Sequence, residues 1–371
     1  MARSFFRKLL TYLSSNNELD VVLNVEADGE SSRHRGNRQR RKFIRRDHIQ
    51  AHQRLFHDYF AENPVYPSNL FRRTFRMSRP LFLRILNEVE ACEPYFVQRR
   101  DNAGRLGLSS MQKITAALRM LAYGVTGDFM DEYIHIGEST AMESLKKFCK
   151  TIVTVFSDEY LRSPNANDIT RLLVVGEQRG FPGMLGSIDC MHWKWKIVPL
   201  PGKRSFIFTE LAQGRAPLVN YTINGSDYTM GYYLADGIYP KWSTFVKTIP
   251  SPQGNKKKNF TAAQESARKD VERAFGVLQQ RFAIVRGPSR FFKVNELTNI
   301  MKACVILHNM IIEDERDDSQ GPNMEYDQVD DDIPELSRNP TIEFINFIQR
   351  HHEIRNNSAH HQLQADLIEH E

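Results

Sequence analysis

Three carboxylates in the second half of the chain stand where they could do chemistry. Asp189 lies inside LGSIDCMHW, a run of small and apolar residues that otherwise reads as a buried strand. A carboxylate there needs a metal ion, an arginine or a set of backbone donors, because an unpaired buried charge is costly. A strand-end Asp capping a turn is the equal alternative. Glu272, in ARKDVERAFGVLQQRF, follows Val271 and stands three residues before Phe275. That spacing puts it on the margin of the buried face of a helix, near Arg268 and Gln279. It can face a site built at strand ends, or pair with Arg268 one turn back. Asp236 closes the strand-like YYLAD and precedes Gly237, so it is either a turn residue or a strand-end metal ligand. His308, in ILHNM, reads as a satisfied helix histidine rather than a ligand.

The elements that must position these groups follow from composition and pattern. At 371 residues the chain has room for about two domains and tails. An apolar fraction of 41% and 11% aromatics exclude a wholly disordered chain. No stretch approaches the ~18 apolar residues of a spanning helix, so no membrane partner is expected. Cys92, Cys149, Cys190 and Cys304 are far apart, which argues against a zinc finger or a disulfide framework and fits a reducing compartment. The N-terminal MARSFFRKLL is interrupted by Arg7 and Lys8, so a secretory apolar region is absent.

The charge is unevenly spread. The net charge is +5, yet eight of the fourteen residues from Arg33 to Arg46 are basic, while Glu313–Glu335 holds eleven acidic residues and one arginine. A basic run of that density is a nuclear address, a phosphate-binding arm or a solvated linker. Residues 1–47 therefore read as a disordered basic arm. Within it Arg38, Arg40, Arg41, Lys42, Arg45 and Arg46 are the candidate DNA contacts.

Residues 48–175 read as helical. Ser68 and Ser78 are expected to cap helices, and Ser109–Tyr123 reads as an amphipathic helix stopped by Gly124. Residues 126–156 have a helix-turn-helix pattern: a short helix over Asp128–Ile134, a turn at His135–Glu138, and a second helix capped by Ser139 or Thr140. Its DNA-reading use would place the second helix's first residues in a groove, and an ordinary helical hairpin is the alternative. Strand character begins at Gly180. A hairpin is expected over Val219–Tyr239, turning at Asn224–Gly225. Lys256–Lys258 reads as loop, Thr261–Val285 and Asn295–Ile312 as helices, Thr341–Arg355 as a last helix, and the His-rich end as a frayed tail.

Several of these segments together resemble the transposases of plant PIF/Harbinger elements. FPGMLGSIDCMHWKWK, YYLADGIYPKW and ESARKDVERAFGVLQQRFAIVRGP carry the resemblance, flanked by RRKFIRRDHIQAHQRLFHDYF and MKACVILHNMIIEDER. It runs in order from about Arg40 to Arg316. The resemblance implies a nuclear, Mg²⁺-dependent nuclease with an RNase H-like core, preceded by a helical DNA-associated region and served by a Myb-like partner protein. Two cations held by Asp, Asp and Glu would activate the nucleophile and stabilise the leaving oxygen. The first family Asp falls on Asp189 and the family Glu on Glu272.

The second family Asp has no counterpart. In the family it lies between the Trp-rich strand and the Gln-Gly-Arg-Ala-Pro segment, and here only seventeen residues, Lys196–Ala212, fill that interval. Three strands and a helix need roughly 45 residues there. The chain thus reads as internally shortened. Asp236 is the candidate third metal ligand, although the resemblance places it after the missing Asp. The fold class expected is α/β (α+β overall): a helical region over 48–175, an incomplete RNase H-like DDE core over 180–316, and an acidic tail with a short helix over 317–371. The first strand would keep an open edge, so the remnant repacks, a second copy completes it, or it folds poorly. The function expected is that of a transposase-derived protein with an impaired nuclease site; a non-catalytic nuclear DNA- or chromatin-binding protein is the alternative.

Overall fold

The computed structural model describes residues 44, 46–162, 164–188, 218–237, 239, 241–287, 293–317 and 356–370. It is a mixed helix-and-sheet protein. Local capping chemistry sets most helix starts. α1 (His48–Tyr59) opens on Asp47, whose carboxylate accepts from the Gln50 amide at 3.0 Å. In α2 (Ser68–Phe75) the cap position belongs to Pro67, with Ser68 already helical; the ring holds φ at −65°, which suits a helix entry. α3 (Arg79–Cys92) opens on Ser78 as expected, with Pro80 in its first turn. α4 (Ser110–Tyr123) has a reciprocal box between Ser109 and Gln112 and ends on Gly124 at φ 64°. A Cβ on Gly124 would come within 3.1 Å of the Ala283 backbone, so glycine is needed there twice over.

α5 (Phe129–Ile134) and α6 (Glu138–Tyr160) form the expected helix pair, but Gly137 is the N-cap of α6, not Ser139 or Thr140. His135 in the left-handed region at φ 54° makes the turn, and extended Gly137 leads directly into the helix. α7 (Ala166–Glu177) was not expected from apolar periodicity. Its signal is the Asn165–Asp168 capping box, in which each side chain bonds the other's backbone N–H.

Strand β1 (Met184–Ser187) pairs in parallel with β4 (Tyr232–Ala235), which pairs in parallel with β5 (Phe245–Lys247). Between them in sequence, β2 (Leu218–Ile223) and β3 (Ser226–Met230) make a separate antiparallel hairpin. It turns at Asn224 and Gly225, both at positive φ (50° and 86°), as a tight two-residue hairpin requires. The hairpin ends at Met230, not Tyr239. The reason is Gly231: a Cβ there would stand 2.4 Å from the Leu185 side chain, so this residue lets the chain cross to β1 and begin β4.

α8 (Asn255–Arg281) begins one and a half turns before the expected Thr261, and Lys256–Lys258 are in its first turn rather than a loop. α9 (Val294–Asp317) follows, also longer than expected. The last helix, α10 (Asn357–His370), corrects the expectation of a frayed tail. His360, Leu363 and Leu367 share one face and are buried. Asp366 accepts from the Tyr228 hydroxyl at 2.5 Å, and Gln364 donates to the β5 carbonyl of Lys247 at 2.8 Å. α10 thereby covers part of an edge strand. The expected helix at 341–355 lies outside the described residues.

The cores do not follow the sequence boundary expected near Gly180. One continuous apolar cluster joins α1–α6 to the second half of α8 (Val271, Phe275, Leu278) and to α9 (Ile300–Ile311). The first half of α8 instead packs on the strands through Phe260 and Ala267. α8 is therefore the beam common to both parts.

Candidate functional site

The strand ends and α8 meet through polar contacts. Gln264, fully buried, donates from Nε2 to the carbonyls of Ala235 (3.1 Å) and Val246 (3.3 Å), and its Oε1 accepts from Thr248 at 2.7 Å. Ser187 Oγ, at the end of β1, donates to the Ala267 carbonyl at 3.3 Å. These bonds tie α8 to the ends of β1, β4 and the segment after β5. They also hold the next residues of each element in place: Asp236 after β4, and Arg268 and Glu272 on α8.

Arg268 stands between the two carboxylates. Its Nη2 lies 3.4 Å from Glu272 Oε1 and its Nη1 lies 3.9 Å from Asp236 Oδ2. The Arg268 side chain is 17% exposed, against 43% for Asp236 and 46% for Glu272. The i,i+4 pairing of Glu272 with Arg268 thus forms, and the same arginine reaches the strand end. Asp236 Oδ1 also accepts from the Gly237 amide at 2.5 Å, the turn role read from its sequence. Lys247, at the end of β5, adds a second cation that interacts with Asp236; burial and the nearby Lys241 lower its pKa, and Asp236 opposes them. Arg268, Gln264 and Lys247 were not singled out as site residues in the sequence. The i−4 spacing of Arg268 from Glu272 was the visible part of that signal.

Asp189 lies outside the described residues. The strand that leads to it is described to Ile188, whose amide donates to the Leu234 carbonyl at 2.8 Å. β1 and β4 run in parallel, so β1 leads toward the end of the sheet that carries Asp236. Among the described residues no group of three or more His, Cys, Asp or Glu side chains could hold a metal ion. Asp236 and Glu272 are two oxygen donors turned to one guanidinium. Those two carboxylates alone do not make the cage of a pair of divalent cations, which needs several free oxygen ligands on each ion, and Asp189 lies outside the described residues.

Of the candidate DNA contacts, Arg38, Arg40, Arg41, Lys42 and Arg45 lie outside the described residues. Arg46 is described and is engaged. Its Nε donates to Asp131 Oδ1 at 2.6 Å and its Nη2 to Asp131 Oδ2, a bidentate fork. The hydrogen bond holds the Asp131 carboxyl below the usual carboxylate range. A phosphate would have to displace this pair. The turn between α5 and α6 and the first turns of α6 are also poorly charged for DNA, since Thr126–Leu145 contains five carboxylates and no lysine or arginine; Lys146, Lys147 and Lys150 follow further along α6. His308 is buried on α9 beside Arg281, and burial followed by that charge lowers its pKa to about 3. It is a neutral packing residue at ordinary pH.

Among the described helices none is long and apolar enough to cross a membrane. The family described as Plant transposon protein matches residues 158–203 and 201–319, and one described as a domain of unknown function matches residues 52–90. No curated protein and no solved structure matches the chain. Over residues 158–319, which hold the parallel strands, the Arg268-bearing helix and the buried helix after it, the chain is related to the plant transposon proteins.

Proposed function

We propose that this is a transposase-derived nuclear protein of the PIF/Harbinger type that binds DNA and does not cut it. The observation that carries the reading is Arg268 seated between Asp236 and Glu272. In a nuclease of the kind the motifs resemble, cations neutralise the charge that develops on the phosphoryl oxygens. Here a fixed protein cation compensates the carboxylates instead. The parallel pairing of β1 with β4 agrees with part of an RNase H-like sheet, and Asp189 and Glu272 remain the residues that the family pattern makes catalytic. The two family matches meet at residues 201–203, inside the short interval that follows the Trp-rich strand. A chain lacking internal residues of the family pattern gives that result. Asp236, at the end of β4, accepts from the Gly237 amide and faces Arg268 at 3.9 Å.

Supercoiled-plasmid nicking with Mg²⁺ or Mn²⁺ tests the reading. No nicking above background is expected. Nicking that disappears in both Asp189→Asn and Glu272→Gln proteins would show an intact nuclease and overturn it.

DNA binding rests on the basic arm, eight cations in fourteen residues. Each phosphate contact contributes about −0.9 to the slope of log K against log salt on duplex DNA. Replacing Arg38, Arg40, Arg41, Lys42 and Arg45 with Gln is expected to weaken binding and flatten that slope. Unchanged affinity would remove the arm from the interface. A Myb-like partner and a nuclear location belong to the same proposal.

A further inference from the structure

We propose that the exposed face formed by α5 and the first turns of α6 is the seat of the chain's own basic arm, residues 33–45, which is thereby masked. Asp128, Glu132 and Glu138 are exposed about these two helix starts, Asp131 is half-buried there, and no lysine or arginine occurs between Thr126 and Leu145. Phe129 and Tyr133 are exposed among the acids, at 51% and 41%. Acids at helix starts complement the helix dipole, which accounts for Glu138 on α6. It does not account for exposed aromatic rings beside the carboxylates. Carboxylates and ring faces together suit guanidinium groups. One is already present: Arg119 lies over the Tyr133 ring at 3.6 Å.

The occupant is named by where the arm ends. Arg46, the last cation of the basic run, is forked onto Asp131 in the first turn of α5. Its guanidinium also packs at Gly137, where an added Cβ would stand 3.5 Å from Arg46 Cζ. The residues before Arg46 therefore enter the structure at this face, with seven further cations from Arg33 to Arg45. Thirteen residues reach about 40 Å when extended. The six residues of α5 span only about 9 Å, so the arm is long enough to cover both helix starts. The opposite signs of arm and face are the complementarity the docking uses.

This inference rests on the DNA-binding reading of the arm only for its consequence: duplex DNA and the α5–α6 face compete for the same cations. The test uses the full chain and limited trypsin digestion within Arg33–Arg45, first without DNA. The variant carries Asp128→Asn, Glu132→Gln and Glu138→Gln, all exposed, and its thermal melt reports that the fold is kept. Three exposed pairs at the weak end of their range give about threefold faster cleavage in the variant. Duplex DNA affinity should rise by a similar factor at low salt. Equal cleavage rates in the two proteins would overturn the proposal. So would protection in the wild type that fades on dilution, which would assign the seat to the arm of a second copy. Faster cleavage with unchanged DNA affinity would support the docking and remove the arm from the DNA interface, so the two readings fail separately.

Discussion

The helical and stranded parts of this molecule solve burial in different ways. The helical part closes on itself: Tyr59, Phe60, Phe71, Phe75 and Phe82 pack with ring centroids 4.5 to 6.1 Å apart, inside a cluster that continues to Ile311. The stranded part has two smaller clusters, one of which is completed by Leu363 and Leu367 from the far end of the sequence. Helices satisfy their backbone within one segment, so each needs only an apolar face. A strand needs neighbours, and the interval that would supply them after β1 is short. The described sheet recruits β4 directly onto β1 and a remote helix onto β5.

The comparison is broken most sharply in the helical core. Phe82→Ala, at a fully buried site, is expected to cost about 3–5 kcal/mol in a urea denaturation measurement. Leu367→Ala is equally buried but lies on α10, which can undock; its cost should fall near the low end of the range, about 2 kcal/mol. A larger loss for Leu367→Ala than for Phe82→Ala would mean that the stranded part, not the helical one, limits stability. Gln264→Leu should cost about 1–3 kcal/mol, because the Ala235 and Val246 carbonyls lose their shared donor. That loss belongs to the strand–helix junction, and proteolysis near β5 should speed up before global unfolding does.

A pH scan separates the parts again. His308 sits in the helical core with its pKa lowered from 6.5 to about 3. The unfolded chain binds a proton near 6.5 and the folded one does not, so the folded state loses ground as pH falls from 6.5 toward 3. Above 6.5 the residue contributes no pH dependence. His308→Gln should flatten the acid limb of the stability curve between those values. An unchanged limb would place the acid sensitivity elsewhere, for instance at His360, which burial also pushes down.

How much of this was legible in the sequence depended on how local the cause was. Ser78 and Gly124 act within one helical turn, and their positions read directly. The Asn224–Gly225 turn read for the same reason. Pro67 and Gly137 displaced hydroxyl caps because the entering backbone, not the side chain, set those starts. α10 was misread as tail because its apolar face is only His360, Leu363 and Leu367, among polar residues. Its partners, Tyr228, Lys247 and Trp242, lie more than a hundred residues away. At the candidate site the i−4 relation of Arg268 to Glu272 was visible, but its reach to Asp236 was not. That contact depends on Gln264 docking α8 across the strand ends, a tertiary cause with no local signature.

The smallest expected effect is the most informative about the site. Asp236 and Glu272 are each more than two-fifths exposed, so their pairing with Arg268 contributes under about 1 kcal/mol, and Arg268→Ala should barely shift the melting temperature in plain buffer. Its consequence lies in metal response. With Arg268 in place the carboxylates are already compensated, and millimolar Mg²⁺ should leave the wild-type melt unchanged. Without it, two carboxylates share one strand–helix corner with Lys247 as the nearby cation that acts on Asp236 among the described residues. Any cation they bind stabilises the folded state by mass action. A Mg²⁺-dependent rise in melting temperature that appears in Arg268→Ala and vanishes on adding Glu272→Gln would confirm that the arginine stands in the cation's place. An equal rise in the wild type would show that a metal already competes with Arg268, and the cutting-incompetent reading would lose its main support.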